Sequence, residues 1–143
     1  MTYVHLLQSI LHKRMKARIN NMKIAIPVDD KSIESKVCIS FGRTPYFLIY
    51  ETDTKQSVFL DNNAIASQGG AGIKAAQAIV DEGVNILITP RCGENAAEVL
   101  KPANIKLYKT VNDSIEDNIE AFTNGKLSLL DDIHAGFHNH GGK

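Results

Sequence analysis

Short apolar runs and helix-like repeats alternate along most of this chain. The apolar runs are rich in β-branched and aromatic residues, which predicts five strands. They cover Lys23–Val28, Tyr46–Glu51 and residues 57–60, 85–89 and 105–108. Residues 52–56 have the polar composition and the length of a hairpin turn, so the second and third strands are expected to pair directly.

Three further segments carry apolar residues at the spacing of a helix. The first spans residues 73–82 and the second residues 94–101, and each is followed by a helix-stopping glycine or proline. The third is expected to start at Asp113, which has Glu116 three residues later, and to end at Gly125. The expected buried faces are Ile73, Ala76, Ile79 and Val80 in the first helix and Ile115, Ile119 and Phe122 in the third.

This order of elements predicts an α/β fold in three layers, with helices on both faces of a mixed five-stranded sheet. If the second strand is antiparallel to the first, the third strand is parallel to the first again. The strand–helix–strand units then keep the last two strands parallel to the third. The carboxyl ends of the first, third and fourth strands therefore share one edge of the sheet, which is where ligands bind in open α/β sheets.

The three loops at that edge carry the residues with the most distinctive chemistry. Exposed helix amides, thiols and guanidinium groups suit a small anionic or metal–sulfur ligand and do not suit a long polymer. The candidate binding residues are Cys38, Ser40, Phe41, Gly42 and Arg43 in loop one (residues 38–43), Gly69, Gly70 and Gly72 in loop two (residues 68–72), and Arg91, Cys92 and Gly93 in loop three (residues 90–93).

The two cysteines are the candidate metal ligands of these loops. Cys92 stands between Arg91 and Gly93 at the start of a helix, where amides and the guanidinium are expected to lower its pKa and favour the thiolate. A thiolate is a soft ligand for iron, copper and molybdenum–sulfur species. Ordinary alternatives stay open, since Cys38 can be a small buried apolar residue, Arg43 a solvated charge and the glycines a means of making tight turns.

Composition and charge argue against a nucleic-acid-binding protein, a membrane-spanning protein and a disulfide-rich secreted protein. The 143 residues suffice for one domain, and 16 basic against 16 acidic residues give no argument for a nucleic-acid partner. No apolar run is long enough to span a membrane, and two cysteines make no disulfide framework, which favours a reducing cytoplasm. Residues 1–22 hold four basic and no acidic residues. This extension is either an amphipathic helix for a partner or membrane surface, or a start-site artefact ahead of Met22.

The C-terminal segment, residues 127–143, changes character. Three of the five histidines, His134, His138 and His140, fall within seven residues. Short histidine-rich tracts bind transition metals, and imidazole suits divalent copper, nickel, zinc and iron. The segment is accordingly expected either to bind a divalent transition metal or to be a solvated polar tail.

Residues 23–125 resemble the dinitrogenase iron–molybdenum cofactor biosynthesis family, with its NifX- and NafY-like domains. The resemblance lies in FGRTPYFLIYE, GGAGIKAAQAIVDEGVNILIT and CGENAAEVLKPANIKLY. It implies a ribonuclease H-like fold and non-catalytic binding of an iron–sulfur or molybdenum–iron–sulfur cluster, with cluster-donating or cluster-accepting proteins as partners. The family often has a histidine directly before the phenylalanine–glycine pair. This chain has Ser40 there, and Cys38 is two residues earlier, where it can replace the missing ligand.

The domain organisation and two further functions follow. Residues 1–22 form an extension, residues 23–126 a cofactor-binding domain and residues 127–143 a histidine-containing tail. One alternative function is a small-anion or partner-binding regulatory module. The other is a metal-dependent hydrolase of ribonuclease H-like fold, for which Asp29 and Asp30 end the first strand but supply only part of an acidic cluster.

Overall fold

Five strands pair into one mixed sheet in the computed structural model, which describes residues 22–66, 68–131 and 133–134. Two short strands, β5 and β7, form a separate parallel pair. In chain order the strands are β1 (Lys23–Val28), β2 (Tyr46–Glu51), β3 (Ser57–Asp61), β4 (Ile86–Thr89), β5 (Cys92–Gly93), β6 (Lys106–Lys109) and β7 (Ile133–His134).

The order of the five-stranded sheet is β3-β2-β1-β4-β6. β2 is antiparallel to both β1 and β3, whereas β4 is parallel to β1 and to β6. β3 therefore runs in the same direction as β1, β4 and β6. This confirms the predicted mixed sheet, and it brings the carboxyl ends of β1, β3 and β4 to one edge.

Three helices cover the two faces of this sheet. They are α1 (Ala71–Asp81), α2 (Glu94–Leu100) and α3 (Ile115–Thr123), and a 3₁₀ turn covers Asn63–Ala66. α1 and α2 pack in one core cluster with Ala25, Phe47 and Leu87, while α3 packs in a second cluster with Ile24 and Ile26. Because both faces are covered, the central strands are apolar without alternation. Among the described helices, none is long and apolar enough to cross a membrane.

The predicted buried face of α1 is wrong at one position. Ile73 is 44% exposed, whereas the buried residues are Ala71, Ala75, Ala76 and Ile79. The helix starts at Ala71, so Ala75 and Ile79 follow at intervals of four and share its inner face. Ile73 lies two residues, about 200° around the helix, from that line. Its side chain is left at the edge of the sheet.

The predicted start of α3 at Asp113 is also wrong. Ser114 is the N-cap, and its hydroxyl oxygen accepts a hydrogen bond from the Asp117 N–H at 3.2 Å. A cap must place its side-chain oxygen over the amide three residues on, which Ser114 does with a short side chain. The fully buried Asn118 then ties the preceding loop to the helix, because its carbonyl oxygen accepts from the Val111 N–H at 2.8 Å.

The pairing of the chain beyond α3 was not predicted. The Lys109 N–H donates to the Ser128 carbonyl and the Leu130 N–H to the Leu107 carbonyl, both at 2.9 Å. Leu130 is buried in the core, and β7 then pairs in parallel with β5. Two-residue strands have no periodicity that a sequence pattern can reveal. Through the pairing of β7 with β5, the chain beyond α3 lies beside loop three.

Candidate functional site

A cavity of about 570 Å³ lies at the edge where the three loops meet. Loop one contributes residues 39–43, loop two and the first turn of α1 contribute residues 68–73, and loop three with the start of α2 contributes residues 91–93, 95 and 96. The structure thus brings together Ser40, Phe41, Gly42, Arg43, Gly69, Gly70, Gly72, Arg91, Cys92 and Gly93. Cys38 is half-buried and is not among the lining residues.

Two contacts hold loop one in its conformation. Phe41 is buried, and its ring packs against Phe47 with the ring centroids 5.3 Å apart. The Ser40 hydroxyl oxygen accepts a hydrogen bond from the Arg43 N–H at 3.1 Å, which closes a tight turn. Ser40 thus lines the cavity and also holds the shape of the loop.

Gly42 lies directly against the backbone at the start of α1. A Cβ added to Gly42 would lie 3.0 Å from the amide nitrogen and 3.1 Å from the Cα of Gly72. Both are backbone atoms in the first turn of α1, so no flexible side chain can give way. Loops one and two therefore touch through their main chains, and any side chain at position 42 would push them apart.

Two buried polar residues that the sequence analysis did not select hold loop one in place. The Asn62 amide nitrogen donates to the carbonyls of Gly42 at 3.0 Å and Thr44 at 2.8 Å. The fully buried Thr44 hydroxyl lies 2.9 Å from the Val28 carbonyl at the end of β1. An asparagine directly after a strand is too common in turns to be singled out from sequence alone. Its role becomes visible only when β3 lies beside loop one.

Loop two presents an N-terminus of α1 without a side-chain cap. Gly70 is the N-cap, with φ 70° in the left-handed region that favours glycine. The first intrahelical bond runs from the Lys74 N–H to the Gly70 carbonyl at 3.0 Å, so the preceding amides have no partner within α1. Ala71 and Gly72, which carry such amides, line the cavity. Amides and helix dipole together favour an anion here.

Loop three is held by the buried Thr89, whose hydroxyl donates to the Arg91 carbonyl at 3.0 Å. Arg91 is exposed at the cavity, whereas Cys92 is only 1% exposed. The thiol of Cys92 packs in the same core cluster as Ala96 and lies 3.5 Å from the Gly93 carbonyl oxygen. Cys92 is therefore both a core residue and a wall of the cavity.

The expectation of a thiolate at Cys92 is wrong. Desolvation by burial raises the pKa of its thiol to about 11, and the charge of Lys101 lowers it only in part. Burial also raises the pKa of Cys38, with a contribution from the neighbouring Asp29 carboxylate. The apolar surroundings outweigh the nearby positive groups on which the expectation rested. Both thiols are protonated at neutral pH.

Among the described residues, the charged groups that line the cavity are of one sign. Arg43 and Arg91 line it, and none of the carboxylates that the structure describes belongs to its lining. The described part of the chain holds no group of three or more histidine, cysteine or acidic side chains that could surround a metal ion. Asp29 and Asp30 are exposed after β1. The arrangement can hold an anion through guanidinium groups and amides, between partly apolar walls.

Of the three histidines predicted to bind a metal, the structure describes only His134. The backbone of His134 belongs to β7, where it lies opposite Gly93 in the ladder. His138 and His140 lie outside the described residues.

The profile of the dinitrogenase iron–molybdenum cofactor family matches residues 22–125. This chain belongs to that family. The match covers the whole sheet, all three helices and the three loops, and it confirms the resemblance found in the sequence. The cavity of this chain thus lies in a domain whose family is named for the nitrogenase cofactor.

Proteins of known sequence or structure are similar to this chain over most of its length. An uncharacterised protein from Methanocaldococcus jannaschii is 33% identical over 117 residues, which are 80% of this chain and 96% of the relative. The apo form of the orange protein from Desulfovibrio gigas superposes with a TM-score of 0.73 at 25% identity, over 78% of this chain and 94% of the other. A Thermotoga protein provisionally named as NifB gives 0.69 at 36% identity, over 78% and 96%.

Proposed function

We propose that this domain is a non-catalytic carrier that binds an anionic iron–sulfur or molybdenum–iron–sulfur cluster in the cavity between its three loops. The observation that carries the proposal is the combination of Arg43, Arg91 and the uncapped start of α1 around one cavity, which the described residues line without a carboxylate. Preorganised donors of this kind stabilise negative charge without reorganising. The family's link to the nitrogenase cofactor supports the choice of ligand.

The walls favour a sulfide-rich anion over a phosphate. Ile39, Phe41 and Ala96 add apolar surface to the lining. A small oxyanion is strongly hydrated and gains little from such walls, whereas a cluster coated with sulfide spreads its charge over a larger, more weakly hydrated surface. A cavity of about 570 Å³ is also within the usual size range for a cofactor-sized ligand. Shape and charge therefore point to the same class of ligand.

The remaining features of the carrier are inferred from this role. We infer a cytoplasmic protein that receives its cluster from a donor protein and passes it to an acceptor, with no reaction of its own. The sheet order, with three antiparallel strands followed by two parallel ones, supports a ribonuclease H-like topology. In this organisation residues 1–22 are an extension, 23–126 the binding domain and 127–143 a tail whose first part packs on the domain.

Anaerobic reconstitution tests the proposal. The full chain is mixed with ferrous iron and sulfide, with and without thiomolybdate, and the gel-filtered protein is analysed by visible absorption and elemental content. Arg43→Gln with Arg91→Gln should lower the affinity at least tenfold, since one hydrogen bond to a charged group contributes about 1.5–3 kcal/mol. Lys106→Gln with Lys126→Gln, two exposed lysines outside the cavity lining, is the matched control. Equal uptake by both double variants would refute the proposed site.

The same reconstitution distinguishes the two ways of holding the cluster. Ligation by Cys92 must displace a proton held with a pKa of about 11, so the apparent affinity would rise about tenfold per pH unit below that value. Binding through amides and guanidinium groups alone would show no such slope between pH 7 and 9. Tight binding of phosphate or molybdate without any sulfide cluster would instead support the small-anion module.

A further inference from the structure

We propose that the outer edge of β3 is a self-association surface, through which two copies of this chain pair their β3 strands antiparallel to each other. The two five-stranded sheets then join into one continuous sheet with two-fold symmetry. This inference goes beyond the proposed function and does not rest on it, because no residue of β3 lines the cavity.

The two edges of the sheet differ in how the described part of the chain covers them. At the β6 edge, the Lys109 N–H donates to the Ser128 carbonyl and the Leu130 N–H to the Leu107 carbonyl. At the other edge, β3 pairs with β2 on its inner side, and none of the described residues pairs with its outer side. An uncovered edge strand presents unpaired backbone groups to which another strand can add. β3 is therefore the edge at which a further strand can bind.

The hydrogen bonds between β2 and β3 decide which backbone groups of β3 point outward. The Asn62 N–H, directly after β3, donates to the Pro45 carbonyl at 3.0 Å. In an antiparallel pair, residues that bond to the neighbouring strand alternate with residues that do not. The N–H and C=O groups of Ser57, Phe59 and Asp61 therefore point away from β2, towards the open side.

The sequence of β3 is complementary to a second copy of itself. With Phe59 opposite the partner's Phe59, Ser57 lies opposite the partner's Asp61, and each of these outward pairs exchanges two hydrogen bonds. The Ser57 hydroxyl can donate to the facing carboxylate. On the other face, Val58, which is 60% exposed, lies opposite the partner's Leu60. This register places apolar side chains against apolar ones and sets no like charges opposite each other.

A groove at the start of β3 supplies a charged contact as well. It has a volume of about 360 Å³ and lies between Ser57 and α3. The charged groups of its described lining are the carboxylates of Glu116 and Glu120 and the ammonium of Lys55. The groove therefore carries an excess of negative charge.

Lys31 lies at the other end of β3, on the same face of the sheet as the groove. Its ammonium is 3.2 Å from the Asp61 carboxylate and 5.2 Å from the centroid of the Tyr46 ring, which packs in the core cluster of α3. Antiparallel pairing sets Asp61 opposite the partner's Ser57, so Lys31 of each copy comes beside the acidic groove of the other. Such complementary charges fix the register of an interface. The occupant favoured by the edge, the register and the charges is a second copy of this chain.

The dimer keeps both cavities accessible. Asp61 ends β3 at the edge of the sheet where the cavity lies, and antiparallel pairing turns the same end of the partner's β3 the opposite way. The two cavities therefore lie at opposite edges of the joined sheet, and neither is covered by the other copy.

Sedimentation velocity of the full-length reduced protein, from micromolar to near-millimolar concentration, tests the inference. The interface is at the small end of specific complexes, so a concentration-dependent equilibrium of monomer and dimer is expected. Val58→Lys should raise the Kd by roughly tenfold or more, because a charge replaces an apolar contact that occurs twice in each dimer. The matched control is Val111→Lys, at a valine beyond β6 that is 56% exposed, and it should leave the Kd unchanged.

A charge exchange tests the register. Lys31→Glu alone and Glu120→Lys alone should each raise the Kd several-fold, and the combined variant should return it towards the wild-type value. Losses that add in the combined variant would overturn the proposed pairing, because they would show that the two side chains do not meet across the interface.

Amide hydrogen exchange measured by NMR locates the interface. The N–H groups of Phe59 and Asp61 should exchange more slowly at high than at low protein concentration. A protein that stays monomeric over the whole range, or a dimer that Val58→Lys leaves intact, would overturn the inference. Protection of these two amides to the same degree at every concentration would overturn it as well, because a segment of the same chain would then cover the edge.

Discussion

Replacement of Gly42 by alanine is the sharpest test of how the site is built. The new Cβ would lie 3.0 Å from the Gly72 nitrogen and 3.1 Å from its Cα. Optimal contacts between carbon atoms are about 3.5–4.0 Å. The overlap of roughly half an ångström falls on backbone atoms of α1, so loop one and the helix must move apart.

The expected magnitude follows from overpacking of a close contact, which costs about 1–3 kcal/mol in the free energy of unfolding. For a domain of this size the melting temperature would fall by roughly 4–12 °C. Gly72→Ala is the matched control on the other side of the same contact. Its Cβ would meet only the Ala96 Cβ, at an ordinary 3.6 Å, and alanine is the better helix former by up to about 1 kcal/mol. The two substitutions should therefore change stability in opposite directions.

Urea denaturation followed by far-ultraviolet circular dichroism measures both variants under reducing conditions. Gly42→Ala should also bind the reconstituted cluster more weakly, because the opening between loop one and α1 widens. A Gly42→Ala variant as stable as the wild type, or a Gly72→Ala variant that loses as much stability as Gly42→Ala, would refute the close-contact explanation.

Three further substitutions test other parts of the site. Asn62→Ala should lower the free energy of unfolding, measured by urea denaturation, by about 2–4 kcal/mol, because two carbonyls of loop one lose their buried donor. Replacement of the exposed neighbour Asn63 by alanine should change it little. Gly70→Ala should cost about 1–2 kcal/mol owing to its left-handed φ of 70°, and Gly69→Ala, with open space around its Cβ, far less. Burial raises the pKa of the Cys92 thiol in the folded state to about 11, from its ordinary value of 9.0. As the pH rises from 9.0 to about 11, the unfolded chain loses this proton while the folded chain keeps it. The free energy of unfolding should therefore fall over this pH range by about 2–3 kcal/mol more in the wild type than in Cys92→Ala.

The meeting of the three loops could be predicted because it depends on strand direction alone. One antiparallel hairpin followed by strand–helix–strand units fixes which strand ends share an edge, and each of these features has a pattern in the sequence. The end of α1 before Gly83 could also be predicted from the sequence. Long apolar runs and glycines at helix ends are local signals.

The properties that depend on contacts between distant segments could not be predicted. The role of Asn62 requires β3 to lie beside loop one, which no local pattern announces. The pKa of Cys92 was expected to fall because its sequence neighbours are Arg91 and a helix start. It rises because the thiol is turned into the core, where desolvation exceeds the effect of charges. The pairing of β7 with β5 beside loop three could not be predicted either, because it involves only two residues of each strand and such short strands show no periodicity in the sequence.

The protonated state of Cys92 fits a carrier better than a permanent cluster protein. At pH 7, removing a proton held with a pKa of about 11 costs about 5 kcal/mol, against about 3 kcal/mol for a thiol with the ordinary pKa of 9.0. Ligation through this residue is thereby weakened about a hundredfold, whereas the guanidinium groups and amides keep their full attraction for an anion. A cluster held mainly by such donors can leave without exchange of covalent ligands. For the proposed carrier, the burial of Cys92 in the core would therefore have a second effect besides stabilising the fold, because it would keep the binding of a cluster at this edge reversible.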